Sequence, residues 1–328
     1  MPKRAFWPGA CHSSMAGGSI VQPRGENFVQ PFQLENGVAR GRLARLGSAA
    51  EGVLSAREYP AGVAFLLAEV MALSALVIGL FKFDGVLSLQ AKGDGPVSLI
   101  LVDLTSEGGL RGFAQFDPQI SAVTLDTLCV DPVPHLLGKG YLAFTIDQGP
   151  NTDRYQGIVE LAGKTISDCA HHYFRESDQL EVAVNIRAEK TASHRWRSGG
   201  LLMQKIPPDG RPLESGESDN TEFQENWRRA RVFANNVRGE ELLDDGLHPH
   251  DLLMRLFERD GVRVFDPLFL ENRCRCSNKR VEMMLKSFPK EEIEVLRVDG
   301  VVTIKCEFCG VDYKFEEYDI AQIYTIRR

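Results

Sequence analysis

The longest apolar run in the chain, AGVAFLLAEVMALSALVIGLF at residues 61–81, carries one charge, Glu69, near its middle. It is about long enough to cross a bilayer. Pro60 suits a helix start, no second such run exists, and strand-like sequence follows at once, so the pattern predicts a buried core helix. From residue 81 the period shortens. Runs of strand formers (FKFDGVLSLQAKGDGPVSLILVDL, GLRGFAQF, GYLAFTID, YQGIVELA, LEVAVNIRA and GGLLMQKI) are punctuated by Gly, Asp and Pro, which predicts several antiparallel strands joined by tight turns. Between two of them TISDCAHHYFRESDQ, residues 165–179, has helical spacing with Ser167 or Asp168 as N-cap. The expected core, 26–208, is therefore α+β, an antiparallel sheet with packed helices.

PPDGRPLESGESDN, 207–220, is too rich in Pro, Gly, Ser and acid to pack and marks a domain boundary. Beyond it TEFQENWRRARVFANNVRGEELLDDG and HPHDLLMRLFERDG read as helices whose apolar residues form narrow stripes among charges. Modest burial is expected, with Trp227, Phe233, Leu242, Leu243 and Leu252 as the positions for burial, core docking or client contact. Helices this short need a neighbour to hold them, so residues 209–262 read as a metastable helical linker. Its charge is distinctive: residues 209–260 hold seven Lys and Arg against thirteen Asp and Glu, nearly all of the chain's net −7.

The remaining composition changes the picture little. At 328 residues, 43% hydrophobic and 25% charged, the chain is an ordinary soluble globular protein of more than one unit. Its acidic balance argues against a whole-protein footprint for nucleic acid or anionic lipid. The first 25 residues include basic side chains but no apolar run of a secretory signal; they read as a disordered extension, with Met15 as a second possible start and the cytoplasm as the expected compartment.

Seven cysteines occur, and four cluster: Cys274 and Cys276 as CxC, then, after 29 intervening residues, Cys306 and Cys309 as CxxC. Two ligand pairs separated by a loop supply the four donors that tetrahedral Zn²⁺ requires, so one zinc ion per chain is expected in the reduced protein. VDGVVTIKC and GVDYKF read as hairpin strands flanking a CEFCG knuckle, and SNKRVEMMLKSF reads as a helix opened by Ser277. The unit, about 263–328, is a small C-terminal zinc-binding domain of a size that a metal commonly completes. Residues 267–328 hold eleven basic and eleven acidic side chains, and four thiolates with Zn²⁺ add about −2, which disfavours a zinc ribbon that binds nucleic acid. A CxC disulfide closes a strained, labile ring, and each cysteine has a resolving partner adjacent, so oxidation would expel the metal and unfold the unit.

These residues meet a known family. The segments Phe81–Gly85, QAKGDGP (90–96), GKGYLAFTID (138–147), RYQGIVEL (154–161), YFRESDQL (173–180), SGGLLMQKIP (198–207), VFDP (264–267) and above all the CxC and CxxC pairs resemble the redox-regulated bacterial chaperones named heat shock protein thirty-three, over about residues 27–328. The resemblance implies that Cys274, Cys276, Cys306 and Cys309 bind zinc when reduced. It implies disulfides Cys274–Cys276 and Cys306–Cys309 when oxidised, followed by dimerisation and ATP-independent binding of unfolding client proteins, a stress response without enzymatic turnover. The first 25 residues and SAVTLDTLCVDPVPHLLG, 121–138, look like additions to the family pattern.

Other signals are weaker. GIVELAGKT, 157–165, has five residues between its glycines where a phosphate loop needs four. His171, His172, His248 and His250 lack Asp, Glu or Cys partners at ligand spacing and read as solvated or packed. A thiol–disulfide oxidoreductase using Cys306 and Cys309 is the enzymatic alternative, but such a motif opens a helix, whereas CGVDYKF continues as strand. Turnover of insulin disulfides would distinguish it from a holdase, which acts in proportion to its own concentration.

Overall fold

A computed structural model gives the fold and describes residues 25–80, 83–120, 131–149, 155–206 and 221–325. The readings made above for residues 1–24, for 121–130 and for the boundary at 207–220 lie outside these residues. In chain order the strands are β1 (Phe28–Leu34), β2 (Ala39–Leu46), β3 (Val86–Gly93), β4 (Val97–Thr105), β5 (Gly109–Phe116), β6 (Gly140–Asp147), β7 (Tyr155–Glu160), β8 (Val182–Lys190), β9 (Trp196–Lys205), β10 (Val262–Val264), β11 (Leu268–Phe269), β12 (Glu271–Asn272), β13 (Arg297–Val298), β14 (Val301–Lys305) and β15 (Asp312–Glu316).

They build three sheets. The first runs β10-β1-β2-β9-β8, with β11 also on β1; the second runs β12-β5-β4-β3-β6-β7; the third is β13-β14-β15. Among the described residues every pairing is antiparallel except the short β12–β5 contact. The α+β expectation holds, with two main sheets. Strands β1 and β2 went unread because both of their faces are buried, so apolar positions do not alternate with polar ones. Only the Asn36-Gly37 turn between them, with Gly37 at φ +75°, marked a hairpin.

The Ala61–Ile78 helix touches strands of both main sheets, which explains why it is apolar all round. Among the described residues it is the one helix long and apolar enough to span a membrane, and 89% of that window is buried. Glu69 lies inside with one carboxylate oxygen unpartnered, and burial pushes its pKa up to about 8. A carboxyl with a raised folded pKa binds its proton more tightly when native, so stability is greatest below the ordinary carboxylate range and falls as pH rises towards 8. Glu69→Gln is expected to flatten that slope, read as a smaller difference between melting temperatures at pH 5 and pH 8. The Ile166–Glu176 helix opens on Thr165 rather than on Ser167 or Asp168: the Thr165 hydroxyl accepts from the Asp168 N–H and the Asp168 carboxylate accepts back, a capping box.

Sheet one presents buried apolar side chains on both faces. Ala44, Leu46, Val184, Ile186 and Leu202 point to the core helix, whereas Leu43, Ala183, Leu201 and Met203 point the other way and would lie bare without the linker. Three helices cover them: Thr221–Asn236, Gly239–Leu243 and Pro249–Leu256. The expectation of modest burial is corrected here. Phe223, Trp227, Ala230 and Ala234 form one stripe, and Val237, Leu242, Leu243, Leu252, Leu253 and Phe257 continue it, all buried on this face. The stripe is narrow, as read, but the sheet face buries it along its length; Phe233, off the stripe, is 41% exposed. Adjacent glycines make the fit: a Cβ on Gly199 would meet the Ala44 carbonyl oxygen at 2.5 Å and Leu243 at 3.2 Å, and one on Gly200 would meet the Asn185 carbonyl oxygen at 2.6 Å and Leu76 of the core helix at 3.0 Å.

Candidate metal centre

The C-terminal unit has its own small core of Leu285, Ile293, Val302, Phe315, Ile320 and Ile323. Ser277 caps the Asn278–Leu285 helix by accepting from the Arg280 N–H, as the sequence indicated. β14 and β15 pair in register from Val301–Glu316 to Lys305–Asp312, which brings Cys306 to the hairpin end. There the chain turns back: the Gly310 N–H donates to the Cys306 carbonyl and the Cys306 N–H to the Val311 carbonyl, with Gly310 at φ +71°. That left-handed position suits glycine.

This turn and the CxC segment bring all four sulfurs within 4.8 Å of one another, each half-buried. Cys274 and Cys306 lie 3.7 Å apart and Cys276 and Cys309 3.4 Å apart. A tetrahedron with metal–sulfur bonds of about 2.3 Å has edges of about 3.8 Å, so the donor set fits one metal ion. Burial pushes the Cys309 thiol up, and hydrogen bonds from the neighbouring sulfurs add to this. A dication held by the sulfurs would reverse that preference at Cys309. Tyr313 donates its hydroxyl to Cys276 Sγ at 3.0 Å, an outer contact of the kind that fixes a thiolate's orientation. Sequence reading passed over Tyr313, although its alternation in β15 places it beside the knuckle.

The residues between the cysteines face the core. Arg275, inside CxC, reaches Asp103 of β4 at 2.7 Å. Asp103 is 5% exposed and also receives Arg111 at 2.6 Å and the Ser88 hydroxyl at 2.6 Å. Phe308, inside CxxC, packs edge-on against Phe113 at 4.9 Å and lies under the Arg111 guanidinium at 3.8 Å. Glu307 pairs with Arg57 at 2.8 Å. Asp103, Arg111 and Phe113 carried no sequence signal, because a buried carboxylate within a strand run is identified only by what faces it.

Among the described residues no other three His, Cys, Asp or Glu side chains converge as metal donors. His171 bonds to the main chain of Val184, and the His248 and His250 rings stand edge to face at 4.9 Å. Residues 157–165 form the end of β7 and the turn into Thr165, not a phosphate loop. Cys169 is buried in the core.

The Hsp33 protein profile matches residues 27–316. The chain is 39% identical over 295 residues to the 33 kDa chaperonin of Caulobacter vibrioides, covering 89% of this chain and 95% of that one. It is 37% identical over 301 residues to the 33 kDa chaperonin of Ectopseudomonas mendocina, covering 91% and 95%. In fold it is similar to the crystal structure of the 33 kDa chaperonin (heat shock protein 33 homolog) of Thermotoga maritima, with a TM-score of 0.75, 21% identity, and coverage of 92% and 98%. The sequence resemblance and these matches agree, and the chain belongs to the Hsp33 family.

Proposed function

We propose that the chain is an ATP-independent holdase chaperone, held inactive by a zinc-bound C-terminal domain and activated by oxidation. One observation carries the reading: the ligand motifs that gather four sulfurs are the same segments that dock the unit on the core. Cys274, Cys276, Cys306 and Cys309 would hold zinc as thiolates, and the ion would supply the cross-link that keeps Arg275 and Phe308 at fixed separation. The domain organisation proposed is a core at 26–208, the acidic linker at 209–262 and the zinc domain at 263–328. β10, β11 and β12 carry the chain from linker to metal along the edges of both sheets, so release of the zinc domain loosens the linker's attachment.

Oxidation balances simply. Two thiols and one peroxide yield one disulfide and two waters, so two peroxides are consumed per chain. In the folded unit the short sulfur contacts run between motifs, Cys274 to Cys306 and Cys276 to Cys309. Once the unit opens, only sulfurs close in sequence stay close, which favours Cys274–Cys276 and Cys306–Cys309. The apolar face of sheet one is then bared for unfolding clients and for a second protomer. The test measures zinc and suppression of citrate synthase aggregation on one sample before and after peroxide, with dithiothreitol reversal and peptide mapping of the disulfides. Zinc is expected to fall from about one per chain to near zero as activity appears. Zinc retained without activity sinks the reading, and mapped Cys274–Cys306 or Cys276–Cys309 bridges sink the opening-first order.

A further inference from the structure

The covered face of sheet one is not purely apolar. Arg45 of β2, 2% exposed, donates Nε to the Leu242 carbonyl at 2.7 Å, Nη1 to Leu247 at 2.5 Å and Nη2 to Glu241 at 3.1 Å. Asn185 of β8, 4% exposed, shares its Nδ2 hydrogens among the carbonyls of Ala234, Asn235 and Val237 at 3.1–3.3 Å. The amide orientation is fixed, since the opposite one would set Oδ1 against three carbonyls. All six of these contacts end on main-chain oxygens: Ala234, Asn235, Glu241 and Leu242 lie in the last turns of two linker helices, where carbonyls lack intrahelical partners, Val237 lies just past the first of them, and Leu247 lies in the loop before the third helix. None of the six depends on a linker side chain. The contrast is at the other end of the same face, where Glu181 accepts from the Trp227 indole and Lys205 donates to Gln224, contacts that only those side chains make.

We propose that this face is a receptor for main-chain carbonyls, in which Arg45 and Asn185 bind the backbone of an unfolded client in the place the linker vacates. The inference rests on the reading that the linker leaves this face in the active state. Two features fit an unfolded polypeptide of arbitrary sequence. The donors recognise what every chain carries, and between them on β9 lie Leu201 and Gly199, flanked by Leu43 and Ala183, an apolar surface on which Leu243 of the linker now packs. Asn185 Oδ1 is buried with no partner among the described residues, an acceptor placed for a client N–H. Stripped of the linker, the Arg45 guanidinium and the Asn185 amide face water, and a client that covers the apolar sheet again must pair them or bury them unsatisfied, which favours a client that presents main-chain carbonyls there.

The experiment uses the full-length chain and reduced, alkylated α-lactalbumin as the probe, read by fluorescence anisotropy. The face is uncovered in two ways: by peroxide on the parent chain, and in reductant by Trp227→Asp, which sets a carboxylate against Glu181. In each background Arg45→Met and Asn185→Asp are compared, and circular dichroism checks that the sheet is intact. A receptor role predicts about tenfold weaker binding from either change. A role confined to seating the linker predicts the opposite sign, equal or tighter binding, and that result overturns the proposal. Arg45→Lys, which keeps the charge and loses the fork, is expected to recover only part of the affinity; full recovery overturns the claim for the three-way contact. Should the Trp227→Asp chain bind in reductant while the peroxide-treated parent does not, redox activation falls and the receptor stands. Should peroxide produce binding while Trp227→Asp produces none, the client site lies elsewhere and the receptor falls.

Discussion

Cys306→Ser is expected to lose zinc and leave the C-terminal unit unfolded even in reductant. The unit's core is six buried apolar side chains, too few to offset the ordering of some sixty residues at about 1.5 kcal/mol each. Structural zinc in small fingers contributes about 10–16 kcal/mol, so a missing ligand removes more than such a unit's remaining stability. Serine is a poor substitute, since its hydroxyl does not ionise near neutral pH and offers no soft donor. The checks are metal content, the amide dispersion of β14 and β15, and holdase activity in dithiothreitol, which is expected to appear without oxidant. Stoichiometric zinc in the variant would overturn the four-thiolate assignment, whereas a zinc-free, unfolded and inactive variant would separate metal loss from activation.

Much of this was legible before any coordinates. The cysteine spacing, Ser277 as cap and the β14–β15 hairpin are local features, set by neighbours within a few residues, and they stand as read. The core helix was legible because an all-round apolar surface has few soluble solutions. What failed was non-local. β1 and β2 lost their period because a helix covers one face and the linker the other, and Thr165 was passed over for two acceptors further along. The linker looked loosely held because its charges outnumber its apolar residues, yet the relevant quantity was the match between one stripe and one sheet face. Arg45 and Asn185 offered no signal, since polar residues in a strand run acquire meaning only from the carbonyls that land on them.

Asp103→Asn is expected to separate metal binding from domain docking. The Asp103 carboxylate takes two guanidinium groups and a hydroxyl while 5% exposed, so it is the shared anchor of Arg111 and Arg275. The amide keeps the shape but loses the charge and offers one acceptor oxygen to three donors. Breaking a buried charge pair by removing one partner typically costs about 3–5 kcal/mol, because the other charge stays buried without compensation. Here the cost is relieved by letting Arg275 swing into water, which undocks the zinc domain; Phe308 then loses both its Phe113 contact and the guanidinium above it. The sulfurs themselves are untouched, because Asp103 bonds to no ligand. The variant should therefore bind about one zinc per chain while hydrogen exchange speeds up in β12 and the linker, and reductant-phase holdase activity rises above that of the parent. Unchanged exchange and activity would show that the domain is held by the strand edges alone. Zinc loss would show that docking supports the metal rather than the reverse. If the variant behaves as expected, the inhibitory signal runs from sulfur to sheet through Arg275 and Phe308, and oxidation acts by moving those two side chains apart.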